Sequence, residues 1–245
     1  MKLKPATTVS EYYDNYLETH IESGINARIL SLFKRIKAIG VNKSSTVFEI
    51  GAGIGALTFL LSTIINRGKI EATDLSPKSI DYLKKKLPQP NIVAYSGDIL
   101  NIDPKGDRFD FILLFDVLEH IPLSDHPKLF RRLSKWMHPE SRLLINIPNP
   151  DYIVFEQNFH PELLQVIDQP VTLGKLALDL QAGGLDIIFL ETYSIWVKND
   201  YRFFIVQLQQ PFEEVFIKKN KTFLHKLISR MKRKWRTFIW PYSNT

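Results

Sequence analysis

Apolar residues fall along the chain in short blocks separated by turn residues, and the spacing within blocks alternates between strand-like and helix-like. Thr46–Ile50, Lys69–Asp74, Asn91–Gly97, Phe109–Phe115 and Arg142–Ile147 are strand-length runs dense in apolar residues. Strands covered on both faces produce such runs. Helix-length segments lie between them: one beginning Leu57–Asn66, one from Ser76-Pro77 to Lys84–Leu87, and one from Pro127 to Met137. Ser76 supplies an N-cap and Pro77 the first helical position, while Pro139 helps to end the third segment. A helix over Thr172–Gln181 closes at Gly183-Gly184, and two more strands follow, Leu185–Ser194 and Tyr201–Leu208. The alternation predicts an α/β domain with helices on both faces of a mostly parallel sheet. Pro148–Gln169 reads as an insertion after the fifth strand.

Three segments result. Residues 1–44 form a helical extension, with Tyr12, Tyr13 and Tyr16 ahead of an apolar stripe at Ile25, Ile29, Leu32, Phe33, Ile36 and Ile39 that stops at Gly40. Residues 45–210 form the main domain, and 211–245 a basic amphipathic tail. No internal repeat or low-complexity linker is visible.

The ends of the strands carry the chemistry. The first runs Val47-Phe48-Glu49-Ile50 into Gly51-Ala52-Gly53-Ile54-Gly55, and acids end or follow the next three: Asp74, Asp98 and Asp116. Glycines let a backbone turn tightly and approach a ligand, and the helix that follows offers unpaired N–H groups. Gly51, Gly53 and Ala56 also satisfy a dinucleotide fingerprint, with Asp74 at about the spacing of a ribose-binding acid. Glu49 favours a cationic ligand over a pyrophosphate, because its charge would sit beside the turn. In a parallel sheet these strand ends line the ligand crevice. The structural alternative is that each acid only caps the next helix.

These pieces resemble the class I S-adenosylmethionine-dependent methyltransferases, of the bacterial small-molecule or glycan type that contains DVLEH. The resemblance rests on VFEIGAGIG (47–55), EATDLSP (71–77), SGDIL (96–100), FDFILLFDVLEHIP (109–122) and RLLINIPNP (142–150), and it covers residues 45–210. It implies a Rossmann-like, doubly wound sheet of seven strands whose last strand runs antiparallel, and S-adenosylmethionine as cofactor with S-adenosylhomocysteine as product. It further implies that Gly51, Ala52, Gly53 and Gly55 hold the methionine end beside Glu49. Asp74 and Leu75 would meet the ribose, Asp98 the adenine amine, Ile99 the adenine ring, and Asp116 with Val117 the methionine amino group.

Methyl transfer from a sulfonium mainly requires alignment of an acceptor, and a base where that acceptor is a hydroxyl. His120 and His160 are the catalytic candidates, since both lie in loops that open on the crevice and imidazole titrates near neutrality. The alternatives are that Glu119 and His120 pin their loop and that His160 starts a helix. Tyr13, His20, Asn149 and Tyr152 are candidate substrate contacts, in segments rich in aromatic and hydrogen-bonding side chains. DVLEHIP also resembles the ubiquinone-biosynthesis O-methyltransferases, in which such residues can hold a divalent ion; no metal is expected here. The segment from Asn149 through 160–170 resembles methyltransferases of bacterial surface-polysaccharide clusters. The expected reaction is methyl transfer to oxygen of a small molecule or glycan. The alternatives are an NAD-dependent oxidoreductase on the same glycine loop and a non-catalytic, membrane-associated scaffold.

Composition narrows this picture. The 245 residues include no Cys, which removes disulfides, thiolate metal sites and a cysteine nucleophile. No apolar stretch reaches the ~20 residues of a membrane span, and the start lacks the apolar core of a signal peptide, so a cytoplasmic protein is expected. The net charge of +6 is uneven: from Pro211 onward nine Lys or Arg face two Glu, which leaves the preceding part slightly acidic. No nucleic-acid partner is therefore expected. Thr222–Trp240 places Phe223, Leu224, Leu227, Ile228, Met231, Trp235, Phe238 and Ile239 at helical spacing among basic residues. That pattern predicts reversible contact with the inner face of a membrane. Packing on a neighbouring subunit, as in a homodimer, or on the domain itself is the competing reading.

Overall fold

A computed structural model describes residues 17–164, 167–212, 214, 228, 230–232 and 235. The chain divides into two compact units, residues 1–210 and 211–245. In the second, residues 228, 230–232 and 235 are helical; the rest of the expected tail helix, like Tyr12, Tyr13 and Tyr16, lies outside the described residues.

The first unit begins with α1 (Leu17–Ser23) and α2 (Ala27–Ile39). Asn26 caps α2 by accepting from the Ile29 N–H, and Gly40 ends it in the left-handed region. The sheet and its crossovers follow: β1 (Thr46–Ile50), α3 (Ala56–Ser62), β2 (Lys69–Asp74), α4 (Pro77–Lys86), β3 (Ile92–Ser96), β4 (Phe109–Phe115), α5 (His126–Leu133), β5 (Met137–Pro148), α6 (Pro150–Phe159), α7 (Leu173–Ala182), β6 (Leu185–Tyr193) and β7 (Tyr201–Leu208).

The seven strands lie in the order β3-β2-β1-β4-β5-β7-β6. The first five pair in parallel, and β7 runs antiparallel between β5 and β6. This is the doubly wound, Rossmann-like sheet that the alternation predicts. Alternate residues of each strand feed opposite cores, as a period of two requires. Phe48, Ile50, Ile112 and Leu114 pack with Leu129, Phe130, Leu133 and Leu176 of α5 and α7 on one face. Val47, Phe111, Leu113 and Phe115 pack with Leu32 and Ile36 of α2 and with Leu57 and Leu61 of α3 on the other.

Three expectations change. The helix from Pro127 ends at Leu133 and passes through a 3-10 turn at Ser134–Trp136. Strand β5 then starts at Met137, five residues early, across a bulge in its pairing with β4. Ser141 stitches that bulge: its hydroxyl accepts from the His138 N–H at 2.7 Å and donates to the Phe109 carbonyl at 2.6 Å. The supposed insertion contains α6, capped by Asn149, whose side chain accepts from the Asp151 N–H.

Candidate functional site

The C-terminal ends of β1, β2 and β4 open on a cavity of about 270 Å³, near the small end of the ~300–1,000 Å³ range of ligand pockets. Its floor is the turn after β1. Gly51 has φ +76°, and a Cβ there would stand 2.2 Å from the Val117 side chain, so only glycine lets the two loops close on each other. Gly53 has φ +52° with nothing within 4 Å of where a Cβ would be, and its bare face looks into open space. Gly55, at the start of α3, is absent from the lining; its Cβ would strike Leu83.

The expected acids gather here. Glu49, Asp74, Asp98 and Asp116 all line the cavity, as do Ala52, Leu75, Ile99 and Val117. Asp74 also builds the glycine turn, since Oδ2 accepts from the Gly53 N–H at 2.8 Å and Oδ1 from the Ser76 N–H at 2.9 Å. Asp98 folds its own loop similarly, accepting from the Leu100 N–H and the Asn101 amide. Glu49 is buried and accepts from the Thr58 hydroxyl at 2.6 Å. Burial pushes its carboxyl up to about 7; the Thr58 bond opposes this, and the charge of Asp74 adds to it.

Asp116 has a partner that the sequence reading missed. Its backbone is left-handed, φ 54°. Oδ1 accepts from the buried Asn146 amide at 2.9 Å, and Oδ2 pairs with Arg28 Nη1 at 2.7 Å. Arg28 stands in the first turn of α2, beside the Tyr201 hydroxyl and the Trp196 ring. A signal for it existed: Arg28 lies four and eight residues before the buried Leu32 and Ile36, hence on the inward helix face.

The histidines separate. His120 lines the cavity, but Nδ1 is shared by the Ile167 carbonyl and by Asp168 Oδ1, the latter at 3.2 Å. Burial alone would lower its proton affinity, yet the Asp168 bond and the charges of Glu119 and Asp168 carry it up to about 9. These partners favour the protonated imidazole and hold the ring against its loop, the structural alternative to a proton-acceptor role. Beside it, burial raises the Glu119 carboxyl. Gln169 completes a clasp on this loop, donating from its backbone to the Glu119 carbonyl and from its side chain to the Ile121 carbonyl. His20, on α1, lines the cavity, and burial lowers its proton affinity.

His160 is absent from the lining: it caps the end of α6, half exposed, 3.7 Å from Glu162. Asn149 and Tyr152 are absent too. The Asn149 amide donates to the Asn199 carbonyl at 2.8 Å, and Tyr152 hydrogen-bonds Glu156 one turn along α6. Helix formation after β5 gives His160 and Tyr152 local partners, while Asn149 ties the start of α6 to the segment before β7. Tyr13 lies outside the described residues.

The donor set fits S-adenosylmethionine. Acids face a ligand that carries an ammonium, a sulfonium, a diol and an exocyclic amine; glycine leaves room for its backbone approach; and a guanidinium is present for its carboxylate. The buried Nε of Arg28 has no hydrogen-bond partner among the described residues.

Comparison with known proteins follows the same line. A methyltransferase domain model matches residues 47–140. The phosphoethanolamine N-methyltransferase of Plasmodium falciparum is 25% identical over 217 residues, 88% of this chain and 77% of that one. The malonyl-[acyl-carrier protein] O-methyltransferase of Halalkalibacterium halodurans is 24% identical over 180 residues, 70% of this chain and 65% of its own. Among solved structures, the magnesium protoporphyrin IX methyltransferase of Synechocystis with bound S-adenosylhomocysteine superposes with a TM-score of 0.66 at 16% identity, over 84% of this chain and all of the other.

Proposed function

We propose that the chain is a class I S-adenosylmethionine-dependent methyltransferase that methylates an oxygen of a small molecule or glycan. One observation carries this reading: His20, whose proton affinity burial lowers, lines the same cavity as Glu49, Asp74, Asp98 and Asp116. A hydroxyl acceptor needs a proton acceptor at the moment of transfer. The bound cofactor supplies a methyl group on a sulfonium, already activated for in-line displacement.

This chain's residues divide the remaining work. Asp74 and Asp98 would orient the ribose and adenine, and Glu49 and the glycine turn would seat the methionine end. His120, fixed by Asp168, would place positive charge beside the acceptor rather than take its proton. The slight negative charge of residues 1–210 supports a small acceptor over a nucleic acid.

A second reading, transfer to an amine, draws on the similarity to a phosphoethanolamine N-methyltransferase along most of the chain. A product screen with labelled S-adenosylmethionine against polyols, sugars, phenols and amines separates the two. Label on oxygen supports the first reading; label on nitrogen overturns it. The basic tail supports a further proposal, reversible contact with an anionic bilayer. No helix among the described residues is long and apolar enough to cross a membrane. Liposomes should co-sediment the intact chain more strongly than one ending at Gln210, and equal sedimentation would end the membrane idea.

A further inference from the structure

The two edges of the sheet are unlike. At one, Pro88 and Pro90 stand just before β3, and the Lys105 ammonium lies over the Tyr95 ring; Pro and Lys at an edge discourage a further strand. At the other, β6 is hydrogen-bonded to β7 on one side and to no strand among the described residues on its outer side. Leu185–Tyr193 contains neither Pro nor Lys, and Ile188, Phe189 and Leu190 in its middle are 48%, 44% and 39% exposed. We propose that β6 is a self-association edge, which pairs antiparallel with the β6 of a second copy and joins two seven-stranded sheets into one.

The bulge in this strand shapes the surface. Its register shifts at Ile188, after which Phe189 pairs with Ile205 and Leu190 with Phe204. Ile205 belongs to the core under α2 and Phe204 to the core under α5 and α7, so Phe189 and Leu190 stand on opposite faces of the outermost strand. Leu178 of α7, 66% exposed, borders a groove with Leu185 and Ile187 beside it. These exposed side chains leave on the order of 400 Å² of apolar surface per copy, the size of patch that marks an interaction site. Two copies bring together roughly 800 Å² of it, and the strand backbones and flanking polar groups carry the contact past the ~1,000 Å² of a specific interface.

A second copy is the occupant because the edge complements itself under a two-fold axis. With Leu190 on that axis, Phe189 meets Glu191 and Ile188 meets Thr192, so no carboxylate stands opposite another. Both acids of the strand already have partners: Glu191 pairs with Arg35 of α2, and Asp186 accepts from the Gln209 amide at 3.1 Å.

Sedimentation velocity of the full chain tests the proposal. Wild type should be dimeric at about 100 µM, the weak end of the affinities that such areas give. Leu190→Lys sets two ammonium groups face to face and should raise the dimer dissociation constant at least about 30-fold, as loss of a central contact does. A second arm introduces no charge. The chain has no Cys, so mild oxidation of a Leu190→Cys variant should link two copies across the axis, where opposed Cα atoms lie within disulfide reach; Phe59→Cys, exposed on α3, should stay monomeric in a denaturing gel. A monomeric wild type overturns the proposal. So does a Leu190→Lys chain that dimerises within about threefold of wild type, or a Leu190→Cys chain that links no better than Phe59→Cys.

Discussion

Arg132 Nε donates to the carbonyl of Ile99 at 3.3 Å, so a guanidinium on α5 holds the backbone of the loop that carries Asp98 and Ile99, the expected adenine contacts. The same group also bonds the Ile102 carbonyl and pairs with Asp103 at 2.9 Å. Arg132 is absent from the cavity lining and works through the loop. Replacing it with Met should weaken binding of adenosine and of S-adenosylhomocysteine by a similar factor, about 5- to 20-fold, for the loss of bonds worth ~1–2 kcal/mol. Turnover at saturating cofactor should stay near wild type. An unchanged KM for the cofactor would show the brace to be irrelevant to binding.

Glu49 gives cofactor affinity a pH dependence. A cationic ligand prefers the carboxylate form, and burial holds the free group near 7. Affinity should therefore rise from pH 6 to about 7.5 and level off above, with proton release on binding. Titrations near pH 6.5 in buffers of different ionisation heat would show it. Glu49→Gln should flatten the profile and weaken the cofactor.

The same substitution should stabilise the empty protein at alkaline pH. An acid whose folded pKa lies above its ordinary value of 4.5 loses stability as pH climbs from that value towards about 7. At pH 8 Glu49→Gln should raise Tm by about 2–4 °C per kcal/mol recovered, and at pH 5 by much less. Equal Tm differences at both values would contradict the burial argument.

His120 has the opposite charge but the same sign of dependence. Its folded pKa of about 9 exceeds the ordinary imidazole value of 6.5, so its contribution is complete below 6.5 and disappears as pH rises through 9. Thermal unfolding from pH 6 to 9.5 should show falling stability over that window, and Asp168→Asn should lessen the slope by removing the partner that raises it. A parallel decline in both proteins would place the charge pair elsewhere. His160→Ala, outside the cavity, should leave kcat/KM within about twofold of wild type; a tenfold loss would restore it as a catalytic residue.

Which parts the sequence disclosed follows from where each signal originates. Central strands such as Phe109–Phe115 are continuous apolar runs, and local chemistry starts α4 at Ser76-Pro77 and ends α2 at Gly40, so these boundaries fall close to those observed. The end of α5 depends instead on Ser141 bridging a bulge from across the sheet, a tertiary event with no local mark. The acids were evident because each follows an apolar run, and the glycines because few other residues serve such a turn. Arg28 was hidden among surface-like charges; its importance appears only once α2 folds over the crevice and brings it to Asp116. His160, Asn149 and Tyr152 follow strand five in sequence but stand outside the cavity lining, because α6 begins at once after Asn149.

The central claim is that acids at the tips of neighbouring strands hold an adenosyl ligand. Titration of S-adenosylhomocysteine into wild type and Asp74→Ala tests it most directly. Asp74 supports both the glycine turn and the expected diol site, so the account predicts one-to-one binding to wild type in the ~1–100 µM range typical of such ligands and a loss of at least about 30-fold in the variant. No heat from wild type at millimolar ligand, or equal affinity in the two proteins, would contradict it.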